Sequence, residues 1–157
     1  MANYTRLPDA LSAKEGTAYI TINGQNRELF EVQSISANIE KTVVEKNMLG
    51  SRVKQHKIIG LNISGSMTLA LMAGDHLEAT INYLKTGVYP QITLRLKNLD
   101  RASTVGGREV LLSNVITTTD LLAMLDTESD DIVTYDTEFT ADGIEVLNDF
   151  VRPANYR

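Results

Sequence analysis

Apolar and polar residues alternate with a period of two along most of this chain. Ala18, Ile20 and Ile22 are separated by Tyr19 and Thr21, the pattern of a half-buried strand. Asn23-Gly24 follows, and both residue types take the positive φ that a two-residue hairpin turn requires. In the next stretch Phe30 and Val32 share one face, whereas Ile35, Ala37 and Ile39 share a face in the opposite phase. That break at Gln33-Ser34 predicts a bulge that bends the strand. The longest alternation sets Ile59, Leu61, Ile63, Gly65, Met67, Leu69 and Leu71 against Gly60, Asn62, Ser64, Ser66, Thr68 and Ala70. It predicts a long strand with one apolar face and one small, polar face. Further strands are predicted from Val88 to Leu96, from Val110 to Ile116, and from Val133 to Ala141. Leu121, Ala123 and Leu125 continue the alternation, with helix as the competing reading.

One helix interrupts the β pattern, over about residues 75–86. Asp75 is placed to cap it, with Glu78 completing a capping box. Leu77, Ile81 and Leu84 form its apolar stripe, and Thr86-Gly87 ends it. The sequence therefore predicts a mainly β domain, a sandwich or barrel, with one flanking helix. A single domain covers 1–157, with an arm over 1–16 and a loosely held tail over 143–157.

Residues 41–57 break the alternation and are read as a long loop. Lys41, Lys46, Arg52, Lys54 and Lys57 there oppose only Glu45, and Met48 and Leu49 precede Gly50. Connections of that length in compact domains are usually functional or disordered. The strands on either side of it can form an extended hairpin.

Charge sharpens this picture. The net charge of −5 is unevenly spread. Residues 1–57 hold eight Lys/Arg against six Asp/Glu, whereas residues 120–157 hold two against ten. An acidic last quarter repels nucleic acid. The chain has no cysteine, which excludes disulfides and thiolate metal sites. Its first residues lack the apolar core of a signal peptide, and no apolar run approaches the length of a membrane span.

Catalytic patterns are missing. There is no nucleophile elbow, phosphate-binding glycine loop or dinucleotide fingerprint. The two histidines, His56 and His76, have no partner at motif spacing and are expected at the surface or an interface. Asp126-Thr-Glu128-Ser-Asp130-Asp131 resembles the start of a calcium loop. It has Asp131 where that loop needs Gly and Thr137 where it needs the closing Glu, so it reads as a solvated turn. No enzyme activity, cofactor or metal is expected. Long strands leave edges that must be paired or covered, and pairing them with further copies of the same chain is one solution.

A more specific expectation comes from resemblance. The segment from Asp9 to Gly24, with Tyr19 and Asn23-Gly24, resembles the opening of tail tube proteins of contractile phage tails, defective prophages and R-type bacteriocins of Gram-positive bacteria, the XkdM-like family. Leu49-Gly50-Ser-Arg52-Val-Lys-Gln55-His56-Lys57, followed by Gly60 and Ser64-Gly65-Ser66-Met67-Thr68, is similar to the same family. So are Tyr83-Leu-Lys85-Thr86-Gly87 and, more weakly, Asn98-Leu-Asp100. The resemblance extends to about Leu125 and is loose beyond.

The resemblance implies a virion component, made in the host cytoplasm, that forms hexameric rings around a continuous inner β-barrel. The rings stack into a tube inside a sheath, with baseplate and terminator proteins at its ends, and DNA passes through without specific binding. It implies that the 41–57 loop reaches the adjacent ring, with Lys41, Glu45, Lys46, Met48, Leu49, Arg52, Lys54 and Lys57 as contacts. Asp126, Glu128, Asp130, Asp131 and Asp136 then either line the lumen or pair with a neighbour's basic loop. Alternatives are another tail or baseplate component, or a secretion-system tube protein, of the same fold. A ligand-binding β-sandwich is a distant third, because aromatics do not cluster in loops.

Overall fold

The computed structural model describes residues 7, 10–29 and 31–152. Residues 1–6 and 8–9 of the arm expected over 1–16 fall outside them, as do Phe30 and residues 153–157. The strands form two sheets. The first contains β1 (Gly16–Ile22), β2 (Gln25–Glu28), β5 (Ile92–Leu99), β6 (Gly107–Ser113) and β9 (Gly143–Asn148), in the order β2-β1-β5-β6-β9. The second contains β3 (Val32–Lys46), β4 (Gln55–Ala70), β7 (Ile116–Thr117) and β8 (Thr134–Ala141), in the order β3-β4-β8-β7. Every strand pair is antiparallel. The helix α1 (Asp75–Thr86) follows β4.

The first hairpin closes at Asn23 (φ 51°) and Gly24 (φ 81°), with Ile22 opposite Gln25. This is the two-residue turn expected of that dipeptide. The predicted bulge is present, because Val32 pairs with Leu69 while Ser34 pairs with Thr68, leaving Gln33 between.

The core lies between the sheets. In the first sheet Ile20, Leu94 and Leu112 form one cross-strand row. Met67, Leu69 and Phe139 face them from the second sheet, and Leu29, Val115 and Ala79 complete the cluster. Burying such side chains contributes roughly 1.5 to 3 kcal/mol each, so this patch dominates the stability of the domain. Gly65 stands opposite Phe139 and leaves room for its ring, which is fully buried.

Several expectations are corrected. The loop over 41–57 is mostly strand: β3 runs on to Lys46, β4 starts at Gln55, and only 47–54 connect them. The alternation disappears there because both faces of the ribbon meet solvent, so hydrogen bonding to the partner strand replaces burial in holding it. The strand expected over 110–116 breaks at Asn114 (φ 51°), where the chain leaves the first sheet for β7 in the second. The run 121–125 is neither strand nor helix. The tail expected from 143 begins as the strand β9.

The helix also differs in its details. Gly74, not Asp75, is the N-cap, with no side-chain cap bond. Asp75 instead receives Arg27. The buried face is His76 and Ala79, while Ile81 and Leu84 are exposed. The small Ala79 lets the helix approach the sheets closely. Gly87 (φ 74°) ends it as expected, its N–H bonding to the Tyr83 carbonyl.

Candidate self-assembly surfaces

The β3–β4 hairpin extends beyond the rest of its sheet. Pairing of β4 with β8 stops at Ile63 opposite Ala141, yet β4 begins eight residues earlier at Gln55. At about 3.3 Å per residue the ribbon projects roughly 25 Å. Ile39, Leu61, Val43 and Ile58 continue the core-facing side of the sheet onto this ribbon, as the pairs Ile39–Ile63, Lys41–Leu61 and Val43–Ile58 show. The register shift after Thr42 places Ile59 as the extra residue. Among the described residues nothing covers the stripe: Ile59 is 62 % exposed and Leu61 66 %. An apolar stripe continuous with a core and left open marks an interaction surface.

The hairpin tip carries both apolar and basic groups. Met48 and Leu49 are exposed beside Gly50 (φ 83°), and Val53 joins them. Glu45 is held within the hairpin, 3.6 Å from Lys54 and 3.3 Å from His56. Lys54 and His56 are therefore partly internal ties of the ribbon. Among the described residues Lys41, Lys46, Arg52 and Lys57 form no ion pair, and all four are exposed.

The face of the second sheet turned away from the core has a different chemistry. Its rows, read from the register, are Ser34–Thr68–Asp136, Ser36–Ser66–Glu138, Asn38–Ser64–Thr140 and Glu40–Asn62. Hydroxyls and amides cover it, with Ser36 Oγ 3.4 Å from Ser66 Oγ and the Thr68 hydroxyl donating to Asp136 at 2.6 Å. Three carboxylates, those of Glu40, Asp136 and Glu138, stand on these rows, and no Lys or Arg does. Among the described residues, basic side chains reach this face only past the bulge, at Lys57 opposite Val44 and Lys46 opposite Gln55.

The acidic set named from the sequence is thus divided. Asp136 belongs to the sheet face. Asp126, Glu128, Asp130 and Asp131 lie on the exposed segment between β7 and β8. Sequence reasoning missed Glu40 and Glu138, which belong with Asp136 by strand parity. It also missed the open stripe at Ile39, Val43 and Ile58.

A buried polar cluster anchors the helix. The Arg27 guanidinium bonds Glu31 at 2.7 Å and also pairs with Asp75. Burial pushes the Glu31 carboxyl up, but the Arg27 hydrogen bonds, its backbone amide and nearby positive charge outweigh that and hold it below its ordinary value. His76, expected at the surface or an interface, is instead buried within the chain, and among the described residues neither ring nitrogen has a hydrogen-bond partner. Burial drives its pKa down against the pull of Asp120, Glu31 and Asp75, so the ring is held neutral. No group of His, Cys, Asp and Glu among the described residues can hold a metal. Among the same residues no helix is long and apolar enough to cross a membrane.

Residues 3–148 match the family of phage tail tube proteins. The chain belongs to that family. It is 29 % identical over 122 residues to the phage-like element PBSX protein XkdM of Bacillus subtilis (strain 168), covering 78 % of this chain and 80 % of the relative. Its fold is shared with a chain of the anti-feeding prophage baseplate, solved by cryo-EM with six-fold symmetrisation. That likeness has a TM-score of 0.63 at 14 % identity and covers 88 % of this chain and 95 % of the other. A chain of the sheath-tube complex of an extracellular contractile injection system gives a TM-score of 0.57 at 15 % identity, over 82 % and 86 %. The tail tube family is one of structural tail proteins, not enzymes.

Proposed function

We propose that this chain is the repeating subunit of the inner tube of a contractile phage tail or phage-like particle. In this reading copies close into hexameric rings that stack inside a sheath. The observation that carries it is the β3–β4 ribbon: a long free edge and an open apolar stripe, continuous with the core, on a chain of the tail tube family. The outer edge of β3 has no partner along its fifteen residues among the described residues. β7 covers only two residues of β8 at the opposite edge. An unpaired edge of that length is an aggregation hazard unless another chain covers it. Edge-to-edge addition around a closing rotation gives a ring without free edges.

The polar outer face of the second sheet then faces the lumen. Its hydroxyls, amides and three carboxylates offer a phosphate backbone no cationic grip, which suits passage over binding. The other sheet faces outward, toward a sheath.

The test is electron microscopy of the purified chain. Stacked six-fold rings support the reading. Discrete rings that never stack favour the second reading, a baseplate or terminator component, which the fold shared with the baseplate chain keeps in view. A strict monomer at high concentration would refute both.

A further inference from the structure

Helix α1 is held to the sheets by few groups. Of its twelve residues only His76 and Ala79 are buried. Asp75 and Leu77 are half-buried, and the rest of the helix is exposed. Among the helix residues only Ala79 belongs to the core cluster. An open cleft of about 360 Å³ already separates the helix from the β1–β2 turn, with Ile20, Ile22, Ala79 and Pro90 among its lining residues. Two polar ties cross to neighbouring elements: Arg27 on β2 pairs with Asp75, and the Thr80 hydroxyl donates to Asp120 on the segment after β7. A glycine flanks each end, Gly74 and Gly87, and a Cβ at either would meet nothing within 4 Å. Small residues in open space at the ends of an element suit a hinge.

Beneath this lightly held helix lies His76, 6 % exposed, with neither ring nitrogen bonded among the described residues. A neutral imidazole tolerates such a seat, whereas an imidazolium there has lost its water and gained no acceptor. The charged groups around it come from several elements: Asp75 on its own helix, Arg27 on β2, Glu31 between β2 and β3, and Asp120 after β7. Tyr135 on β8 stands near Asp120 and Glu31, and burial keeps its hydroxyl neutral through the acid range. The carboxylates favour the cation and Arg27 opposes it, but burial outweighs them. Glu31 and Asp75 are also already engaged by Arg27, and Asp120 by Thr80.

We propose that α1 is a proton-operated latch: uptake of a proton from solvent by His76 swings the helix off the sheets as one unit while the rest of the domain stays folded. Local opening draws on elements with few buried contacts, and α1 takes only the small Ala79 side chain out of the core cluster when it leaves. The open state takes its proton at the ordinary histidine value, about 6.5, and the closed state only at a lower one. The opening equilibrium therefore rises about tenfold per pH unit between the two values and is level outside them. Opening breaks the Thr80–Asp120 bond, so the same proton untethers the start of the segment between β7 and β8. The latch belongs to the single chain and does not depend on whether copies stack.

A buried reporter thiol tests it, since the chain has no cysteine. In Ala79→Cys the thiol lies under the closed helix, and in Leu112→Cys it lies on β6 in the interior of the first sheet. With the chain monomeric, and with rates taken relative to a free thiol at the same pH, dithiodipyridine should label Ala79→Cys faster as pH falls below about 6.5, by about tenfold per unit. Leu112→Cys should stay protected, and adding His76→Leu should remove the pH dependence at Ala79→Cys. Amide exchange of the parent chain reads the same event without a substitution under the helix. After correction for intrinsic rates, residues 75–86 should lose protection with acid before residues 18–22 and 92–96 do. The latch is overturned if labelling of Ala79→Cys is unchanged between about pH 7 and about pH 5, if Leu112→Cys opens in step with it, or if His76→Leu leaves the dependence intact. Should Ala79→Cys not fold, simultaneous loss of amide protection in the helix and both strands overturns it.

Discussion

Gly65 and Gly60 lie on the same strand, and only one of them should tolerate a side chain. A Cβ at Gly65 would stand 2.2 Å from the Ser36 carbonyl oxygen, 2.4 Å from Phe139 Cζ and 2.8 Å from Phe139 Cε1. All three distances are far inside contact, and one of the atoms is backbone. A Cβ at Gly60 would find Thr42 Oγ1 at 3.8 Å, an ordinary contact. Overpacking of a buried site costs about 1 to 3 kcal/mol, occasionally more. The entropy that alanine removes from the unfolded chain returns about 0.4 to 1 kcal/mol. Gly65→Ala should therefore destabilise by about 2 kcal/mol, which lowers Tm by about 4 to 8 °C for a domain of this size. Gly60→Ala should be neutral or slightly stabilising. Phe139→Leu shortens the ring but leaves the Ser36 carbonyl in place, so the double variant should recover part of the Gly65→Ala loss and not all of it. The assay is thermal and urea unfolding at concentrations where sedimentation shows a monomer, because assembly adds its own stability. Equal losses at both glycines, or full recovery on Phe139→Leu, would refute the packing argument.

Four further outcomes are expected. His76 is held neutral with its pKa below 6.5, so the stability it contributes is complete above that value and is lost as pH falls toward the lowered one; urea midpoints followed down the pH scale should fall more steeply for the parent than for His76→Leu. Arg27→Ala leaves Glu31, only 4 % exposed, without its guanidinium, and should cost about 1 to 3 kcal/mol by urea unfolding, with Glu31→Gln recovering part. Leu49→Ser at the exposed tip should leave the melting midpoint unchanged while reducing tube formation seen by light scattering. Asp136→Lys with Glu138→Lys should give assemblies that retain DNA in gel-shift experiments, with retention falling steeply as salt rises, whereas parent assemblies should not retard DNA.

What was legible in the sequence follows from where burial acts. Period-two alternation located β1, β4 and β8 and the bulge at Gln33, because a one-residue slip there would turn an apolar face outward. The alternation could not mark the ends of β3 and β4, since it stops at Ile39 and Ile59 while the backbone pairing runs on to Lys46 and Gln55. Basic residues there read as a loop, although the backbone pairing continues. His76 was misplaced for the opposite reason. It sits one turn from Ala79, whose small side chain brings the helix down onto the sheets, and that closeness buries a residue its neighbours in sequence do not announce. Asn114 hid a change of sheet inside the run from Val110 to Ile116, because a single positive φ redirects a strand while β-forming residues continue on both sides of it.

The same asymmetry explains why the assembly surfaces were only half visible. Ile59 and Leu61 look like core positions in the sequence, since their alternation is continuous with Met67 and Leu69. Only the register, with β8 ending opposite Ile63, shows that the core stops there while the pattern does not. An apolar pattern longer than the core that can receive it requires another surface. The polar partners of that pattern, from Ser34 and Ser66 to Glu138, are uniform in character for the same length, so one continuous face is polar while the other is apolar and open. The acidic residues separate along this line: Asp136 and Glu138 are fixed on the polar face by strand parity, whereas Asp126, Glu128, Asp130 and Asp131 lie on the exposed β7–β8 segment, where no sheet register orients them.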